Sequence, residues 1–521
     1  MKYNQFNKTK FAIKEKILSG IKKLASQTLW YGIPTIAARF LGYLTNFALP
    51  FITGHPEKTA DLSQVYAIIP FMNVLYAYGL ETAYFRFSQT HNKQKLYSTL
   101  SISLFFSSII FTIVLLLCRN FITDAAGLNL HPQYVLWMIA IIAVDNLNTL
   151  PFAKLRQENR PKYYAFARIA GIVISIVVII LFIGVIPKML QHNPDSFVKH
   201  IYNKDIGLGY YLLGNLCGSL FTLLLLSKEI RQIQFTFSTK LWKEVMRYSL
   251  PLVIVGLGGM INDVMSRLIY RHVVDLPKEQ ADYELGIFSN IFRIALLITI
   301  TIQAFRMAAE PFFFNRSREE NATKIYARVM KFFVIACCFM FLFIGLYLDV
   351  FRWIFIKFAN KNWADGLDVV PLLALGNIFL GIYYNLSVWY KLTNKNMYGA
   401  AITIAGAIIT IVLNVLLIPR LHYTGAAIAT FCCYLFMMIS SYVLGQKHFP
   451  VPYARRKLLM YLLTAVLLYS IHVGLNKLYH GHLWFSLVTG TMLMGVFAWL
   501  ITVTEAKELA KLPLIGKWFK K

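Results

Sequence analysis

Eight basic residues of this chain interrupt long apolar runs, and three of them lie deep within those runs: Arg39, Arg267 and Arg293. Arg86, Arg168, Arg306, Arg328 and Lys331 stand nearer the ends, where an aliphatic stem can carry the charge out to an interface. Four acids share the apolar runs: Glu81, Asp145, Asp263 and Glu310. A guanidinium at the centre of a membrane helix costs about 2.5–3.5 kcal/mol on insertion scales. Three of them cost roughly 8–10 kcal/mol, which rivals the net stability of a whole domain, about 5–15 kcal/mol. Each must therefore meet water, a carboxylate or an anionic ligand. Asp263 and Arg267 are four residues apart, as are Arg306 and Glu310, so each can pair along one helix face. Arg306–Glu310, at the rim, reads as structural; for Asp263–Arg267 an ion pair and a ligand role both stay open. Arg39 and Arg293 have no acid at helical spacing, which favours a wet cavity for them. Asp145, beside Asn146 and Asn148, suits either a cation site or a capped polar turn.

A cavity with surplus guanidinium selects an anion, and the planar fork of arginine takes phosphate oxygens two at a time. A diphosphate joined to a lipid fits such a cavity, with its polar head inside and its tail in the bilayer. Arg39, Asp263, Arg267 and Arg293 are thus the expected substrate-binding set. Glu81 and Asp145 are candidates for coupling to H+ or Na+, and Arg86, Arg306 and Glu310 for a cytoplasmic gate. No catalytic residue, metal ligand or cofactor is expected. Phosphate-cradling glycine patterns are missing. The six cysteines fall inside apolar runs without metal-site spacing and read as small core residues. Of eleven histidines only His472 lies in an apolar run. An enzyme is therefore not expected.

The elements that must hold these residues are helices. Of 521 residues 57% are hydrophobic and only 15% charged, with mean hydropathy +0.56, against about 25% charged in a soluble chain. Lipid removes the backbone's access to water, so apolar segments of about 20 residues must satisfy their hydrogen bonds internally as helices. The expected fold is all-α: a polytopic membrane protein with about fourteen transmembrane helices. The net charge of +28 sits in short loops rather than on a long basic face, which points to anionic lipid headgroups and not to nucleic acid. Loops such as 154–164 and 446–457 concentrate Lys and Arg, placing both termini on the cytoplasmic side. No apolar core of a cleavable signal precedes the first span. Ile13, Ile17, Ile21 and Leu24 with neighbouring lysines suggest a surface helix instead.

Two stretches echo each other. Residues 150–187 and 386–419 both carry a Lys-Leu pair, a polar turn, Ile-Ala-Gly and a β-branched run ending in Ile-Pro; Pro34 answers Pro251, and Phe85-Arg86 answers Phe305-Arg306. The offset is six spans, an even number, so the copies share one orientation and suggest two lobes that rock about a cleft. The expected organisation is a cytoplasmic amphipathic segment 1–25, a first lobe 26–227, a linker 228–247, a second lobe 248–445, two further spans in 446–504 and a cytoplasmic tail 505–521.

Several motifs carry a family likeness: Trp30-Tyr31-Gly32-Ile33-Pro34 opening the first span, and Leu155-Arg156-Gln157-Glu158-Asn159-Arg160 before the fifth. Most specific is the order Pro251, Asn262-Asp263, Arg267-Leu268, Leu285-Gly286-Ile287-Phe288 and Pro311, with Phe288 where the pattern usually has Tyr. The chain resembles the O-antigen type (Wzx-like) oligosaccharide flippases, the polysaccharide branch of the multidrug/oligosaccharidyl-lipid/polysaccharide exporter superfamily, over about residues 25–445. That resemblance implies two six-helix lobes, alternating access, and movement of an undecaprenyl-diphosphate-linked oligosaccharide across the bacterial cytoplasmic (inner) membrane for lipopolysaccharide O-antigen or other surface polysaccharide. It also implies that Asp263, Arg267 and Arg39 line the cavity. Membrane lipids, a polysaccharide polymerase and glycosyltransferases are the implied partners. A lipid II flippase and a drug or cation antiporter of the same fold are the alternatives; three deep arginines against few acids disfavour a cationic cargo.

Overall fold

The computed structural model describes residues 41, 47–158, 160–194, 196–316, 321–393, 395–478 and 482–509, apart from certain side chains within 304–316 and at 507 and 509. Arg39, the 1–25 segment and most of the tail lie outside these residues. The described residues are helical with no strand. The main helices are α1 (Ala60–Ala77), α2 (Leu80–Phe87), α3 (Lys93–Leu117), α4 (Gln133–Gln157), α5 (Pro161–Ile179), α6 (Gly209–Leu225), α7 (Thr239–Val273), α8 (Lys278–Ala295), α9 (Leu297–Arg316), α10 (Ala322–Leu346), α11 (Leu348–Phe358), α12 (Val370–Leu386), α13 (Asn396–His448), α14 (Arg455–Leu478) and α15 (Leu483–Leu509).

Among the described residues ten helical stretches are long and apolar enough to cross a membrane, and Gly209–Leu225 is a shorter apolar helix. α13, 53 residues long, is two spans meeting at a kink where His422 takes φ 53°. The chain breaks between α1 and α2 at Gly79, whose φ of 74° favours glycine and whose Cβ position would lie only 3.2 Å from the Ser249 carbonyl. The chain is thus a polytopic helical membrane protein, with about ten candidate spans among the described residues against the fourteen expected.

Local chemistry sets the helix starts. The Asn92 side chain accepts a hydrogen bond from the Lys95 N–H at 3.0 Å and caps α3. Pro161 opens α5, where a missing N–H costs nothing. α3 turns Phe106, Ile110, Ile113 and Leu117 outward, a lipid-facing stripe. α5 and α6 cross closely because Gly171 and Ser175 meet Gly214, Gly218 and Thr222; a Cβ on Gly171 or Gly218 would collide with the facing helix. Small residues at four-residue spacing are how helices approach in lipid, where apolar burial gives no net drive.

Two compact units emerge. Ile69–Gly256 fall in one, and Asn46–Ile68 return to the other with Leu257–Lys521. The division between the two units lies inside α7. In the second unit a continuous core of Phe288, Ile291, Cys337, Cys338, Phe341, Trp363 and Ala374 is fully or nearly fully buried. Cys337, Cys338 and Cys433 are the small core residues expected, but Cys118 and Cys217 are exposed on apolar helices and Cys432 is half-buried.

The last two helices are fastened from below. Lys331 on α10 is 5% exposed and donates to Glu505 at 2.5 Å, while Lys457 (2.8 Å) and the Tyr461 hydroxyl (2.5 Å) share the same carboxylate. Glu508 adds a second acid 3.0 Å from Lys331. The position of Lys331 near a span end suggests an extended, solvated lysine; it is instead the buried centre of a charge cluster joining α10, α14 and α15, since a carboxylate on α15 meets it inside the packing.

Candidate functional site

In the second unit the deep charges lie along one face of α7 at successive turns: Asp263, Arg267 and Arg271. Asp263 and Arg267 make no ion pair within 4.0 Å with each other or with another described residue. Arg267 instead stacks its guanidinium on the Phe292 ring at 4.9 Å, and its Nε is buried without a hydrogen bond. The Gln64 amide donates to the Arg267 carbonyl at 2.8 Å, tying 46–68 to this turn. Of the two readings left open for Asp263–Arg267, the geometry thus gives no contact pair. Arg293 is half-buried on α8, one residue beyond that same Phe292.

Neighbouring Asn262 has a different task. Its amide donates to the Thr403 carbonyl (3.3 Å) and its Oδ1 accepts from Thr410 (3.3 Å), so it pins α7 to α13. One turn beyond Arg267, Arg271 is held between Asp61 and Asp282, both at 2.6 Å. Close by, Glu284 accepts from Tyr270 at 2.5 Å and meets the His422 ring at 3.1 Å. Sequence reasoning passes over this clamp; its signal is the four-residue stripe from Asp263 through Arg267 to Arg271, facing acids at the starts of two other helices, Asp61 on α1 and Asp282 on α8.

The gate candidates separate. Arg86 is exposed and stacks on Tyr248 at 4.2 Å; Arg306 stacks on Tyr384 at 4.7 Å. The Glu310 side chain lies outside the described residues, so the Arg306–Glu310 pair does too.

Glu81 and Asp145 do come together, on the wall of a 560 Å³ chamber inside the first unit, formed by α1, α2, α4, α5 and α6. Glu81 forms an ion pair with Arg156, both partly exposed at the chamber's mouth. Deeper, Asp145 accepts from the Ser219 hydroxyl at 2.5 Å, and the Asn148 amide donates to the Ser219 carbonyl at 3.2 Å. Arg168, whose position near a span end suggests an outward-reaching side chain, lines this chamber and stacks on Phe152 at 5.3 Å. The small residues of the α5–α6 crossing, Gly171, Ser175, Gly218 and Thr222, form part of its wall.

Below the chamber, the loop after α4 is locked by buried charge. Glu229, fully buried, takes Arg160 at 2.6 Å, and Lys154 donates to Gln232 at 2.5 Å. Burial works against the Arg160 charge, yet Glu229 and Glu158 hold its pKa above the ordinary value. The basic loop motif that carries the family likeness is therefore a structural lock. No group of three or more His, Cys, Asp or Glu suited to a metal ion occurs among the described residues.

A comparison with curated proteins gives no match. Among solved structures the fold is similar to the lipid II flippase MurJ in an inward closed conformation, with TM-score 0.68 and 14% identity over 91% of this chain and 99% of that one. It is also similar to an inward-facing multidrug resistance MATE family transporter of the MOP superfamily (TM-score 0.62, 15% identity, 81% and 97% covered). A third likeness is the MATE multidrug transporter DinF-BH (TM-score 0.59, 15% identity, 82% and 96% covered). These similarities are to a flippase and to transporters, not enzymes, and they establish a shared fold. Residues 24–317 match the model of the polysaccharide biosynthesis protein family, and the chain, a many-spanning helical membrane protein, belongs to that family.

Proposed function

We propose that this protein is a flippase for an undecaprenyl-diphosphate-linked oligosaccharide, carrying the glycan across the bacterial cytoplasmic membrane by alternating access for surface polysaccharide assembly. The observation that carries the reading is Arg267. A guanidinium on a membrane-spanning helix, with no carboxylate within 4.0 Å among the described residues and a buried Nε without a hydrogen bond to them, is tolerated where an anion visits it. Arg293, Asp263 and Arg39 complete the proposed substrate set, and Arg86, Arg306 and Glu310 the proposed cytoplasmic gate. Both termini face the cytoplasm in this reading, where the basic loops meet glycosyltransferases that build the substrate; a polymerase receives it outside. Any coupling to H+ or Na+ rests on Asp145 rather than Glu81, because Arg156 already neutralises Glu81. The family membership and the likeness to MurJ support a lipid-linked cargo.

That same likeness favours lipid II as the second reading, since it covers 99% of the flippase chain. A drug or cation antiporter is disfavoured by Arg267 itself. Deleting the gene and analysing lipids decides between them. The flippase reading expects a lipid-linked oligosaccharide to accumulate on the cytoplasmic leaflet while cell-wall synthesis continues. Accumulation of lipid II with growth arrest selects the second reading, and unchanged lipids reject both.

A further inference from the structure

We propose that the chamber inside the first unit reads the sugar of the substrate, binding the neutral, hydroxyl-bearing ring or rings next to the diphosphate. The assignment rests on the flippase reading and deepens it by naming the part of the substrate that this chamber takes.

The charge balance comes first. Glu81 and Arg156 cancel each other as an ion pair. What remains on the wall among the described residues is one carboxylate, Asp145, and one guanidinium, Arg168. A diphosphate needs surplus positive charge, which the described wall residues do not offer. A neutral polyol suits it.

The hydrogen-bond inventory points the same way. Asn146 and Asn148 are 3% and 4% exposed, and both line the chamber. Their amide nitrogens are used, by the Ser108 hydroxyl at 2.6 Å and the Ser219 carbonyl at 3.2 Å. Their carbonyl oxygens have no hydrogen-bond partner among the described residues. A buried acceptor left so is unfavourable unless water or a ligand donates to it. Asp145 spends one oxygen on Ser219 and keeps capacity for more donors. The wall is thus rich in acceptors, with Arg168 as a donor. Sugar hydroxyls donate and accept at once, and each can replace a chamber water bond for bond.

Size and access agree. The 560 Å³ volume lies within the range of small-ligand sites, about 300–1,000 Å³. The polarity continues from the partly exposed Glu81–Arg156 pair to the buried asparagines, so a hydrated head stays hydrogen-bonded along the way in.

The test uses purified full-length protein in nanodiscs and native mass spectrometry. The probes are undecaprenyl diphosphate alone and undecaprenyl diphosphates bearing a single N-acetylglucosamine, glucose or galactose. At least one sugar-bearing lipid is expected to bind about tenfold or more tighter than the bare lipid. Asn148→Ala and Arg168→Gln are each expected to cut that preference about fivefold or more, while leaving bare-lipid affinity unchanged, which also reports correct folding. Equal binding of bare and sugar-bearing lipids by the unaltered protein overturns the assignment. So does a preference that survives both substitutions. Failure to bind any of the four lipids overturns the flippase reading itself, and the sugar site with it.

Discussion

Replacing Arg267 by alanine should separate stability from transport. The guanidinium stacks on Phe292 at 4.9 Å and has no acid within 4.0 Å among the described residues. Removing it relieves an insertion penalty of up to about 2.5–3.5 kcal/mol and forfeits a desolvated cation–π interaction of about 2 kcal/mol. The balance is a protein about 0.5–1.5 kcal/mol more stable, or nearly unchanged once the stem's packing is discounted. Transport should move the other way. Truncating one partner of a desolvated guanidinium–phosphate pair costs about 2–5 kcal/mol, which is at least about a thirtyfold fall in substrate affinity. Arg267→Lys keeps the charge but gives up the planar fork and should fall between. Thermal unfolding of the purified variants, read beside glycan export in a deletion strain, measures both quantities on the same proteins. If Arg267→Ala unfolds at a lower temperature and its export declines only in proportion to folded protein, Arg267 is a packing residue and the anion argument fails. Full export by the alanine variant would refute it more directly.

Other expectations follow from buried interactions. Lys331→Met leaves Glu505 buried with one cation fewer and should cost about 3–5 kcal/mol; the Lys331→Met, Glu505→Leu pair should recover much of it, and additive losses in a double-mutant cycle would contradict the proposed cluster. Gly171→Val drives a branched side chain into Gly218 and Thr222 and should cost about 1–3 kcal/mol, visible as earlier thermal unfolding, whereas Gly474→Ala, with open space around its Cβ position, should not. Asn262→Ala removes the α7–α13 pin and strands the Thr410 hydroxyl, for a destabilisation of about 1–3 kcal/mol; thermal unfolding equal to that of the unaltered protein would show the pin to be slack.

The likeness between Phe85-Arg86 and Phe305-Arg306 has a modest physical counterpart: each arginine stacks on a tyrosine of another helix, Tyr248 and Tyr384. Sequence spacing suggests the pairing of charges along a helix and misleads about their partners. Arg267 has Asp263 four residues away, yet a side chain on α8, Phe292, takes its guanidinium. The distance of Lys331 from its span end suggests solvent, but its partner Glu505 is 174 residues away along the chain, and no local pattern encodes that.

The sequence alone determined that the chain is a bundle of membrane-spanning helices, because runs of apolar residues in lipid admit no other way to satisfy the backbone. It also marked which charges are out of place, since a guanidinium at bilayer depth is costly whatever surrounds it. Only the tertiary structure decided what those charges meet. The Arg271 clamp, the neutralised Glu81 and the neutral, acceptor-rich chamber around Asp145 and Asn148 depend on which helices pack together, and that is fixed by small-residue crossings and buried ion pairs between segments far apart in the chain.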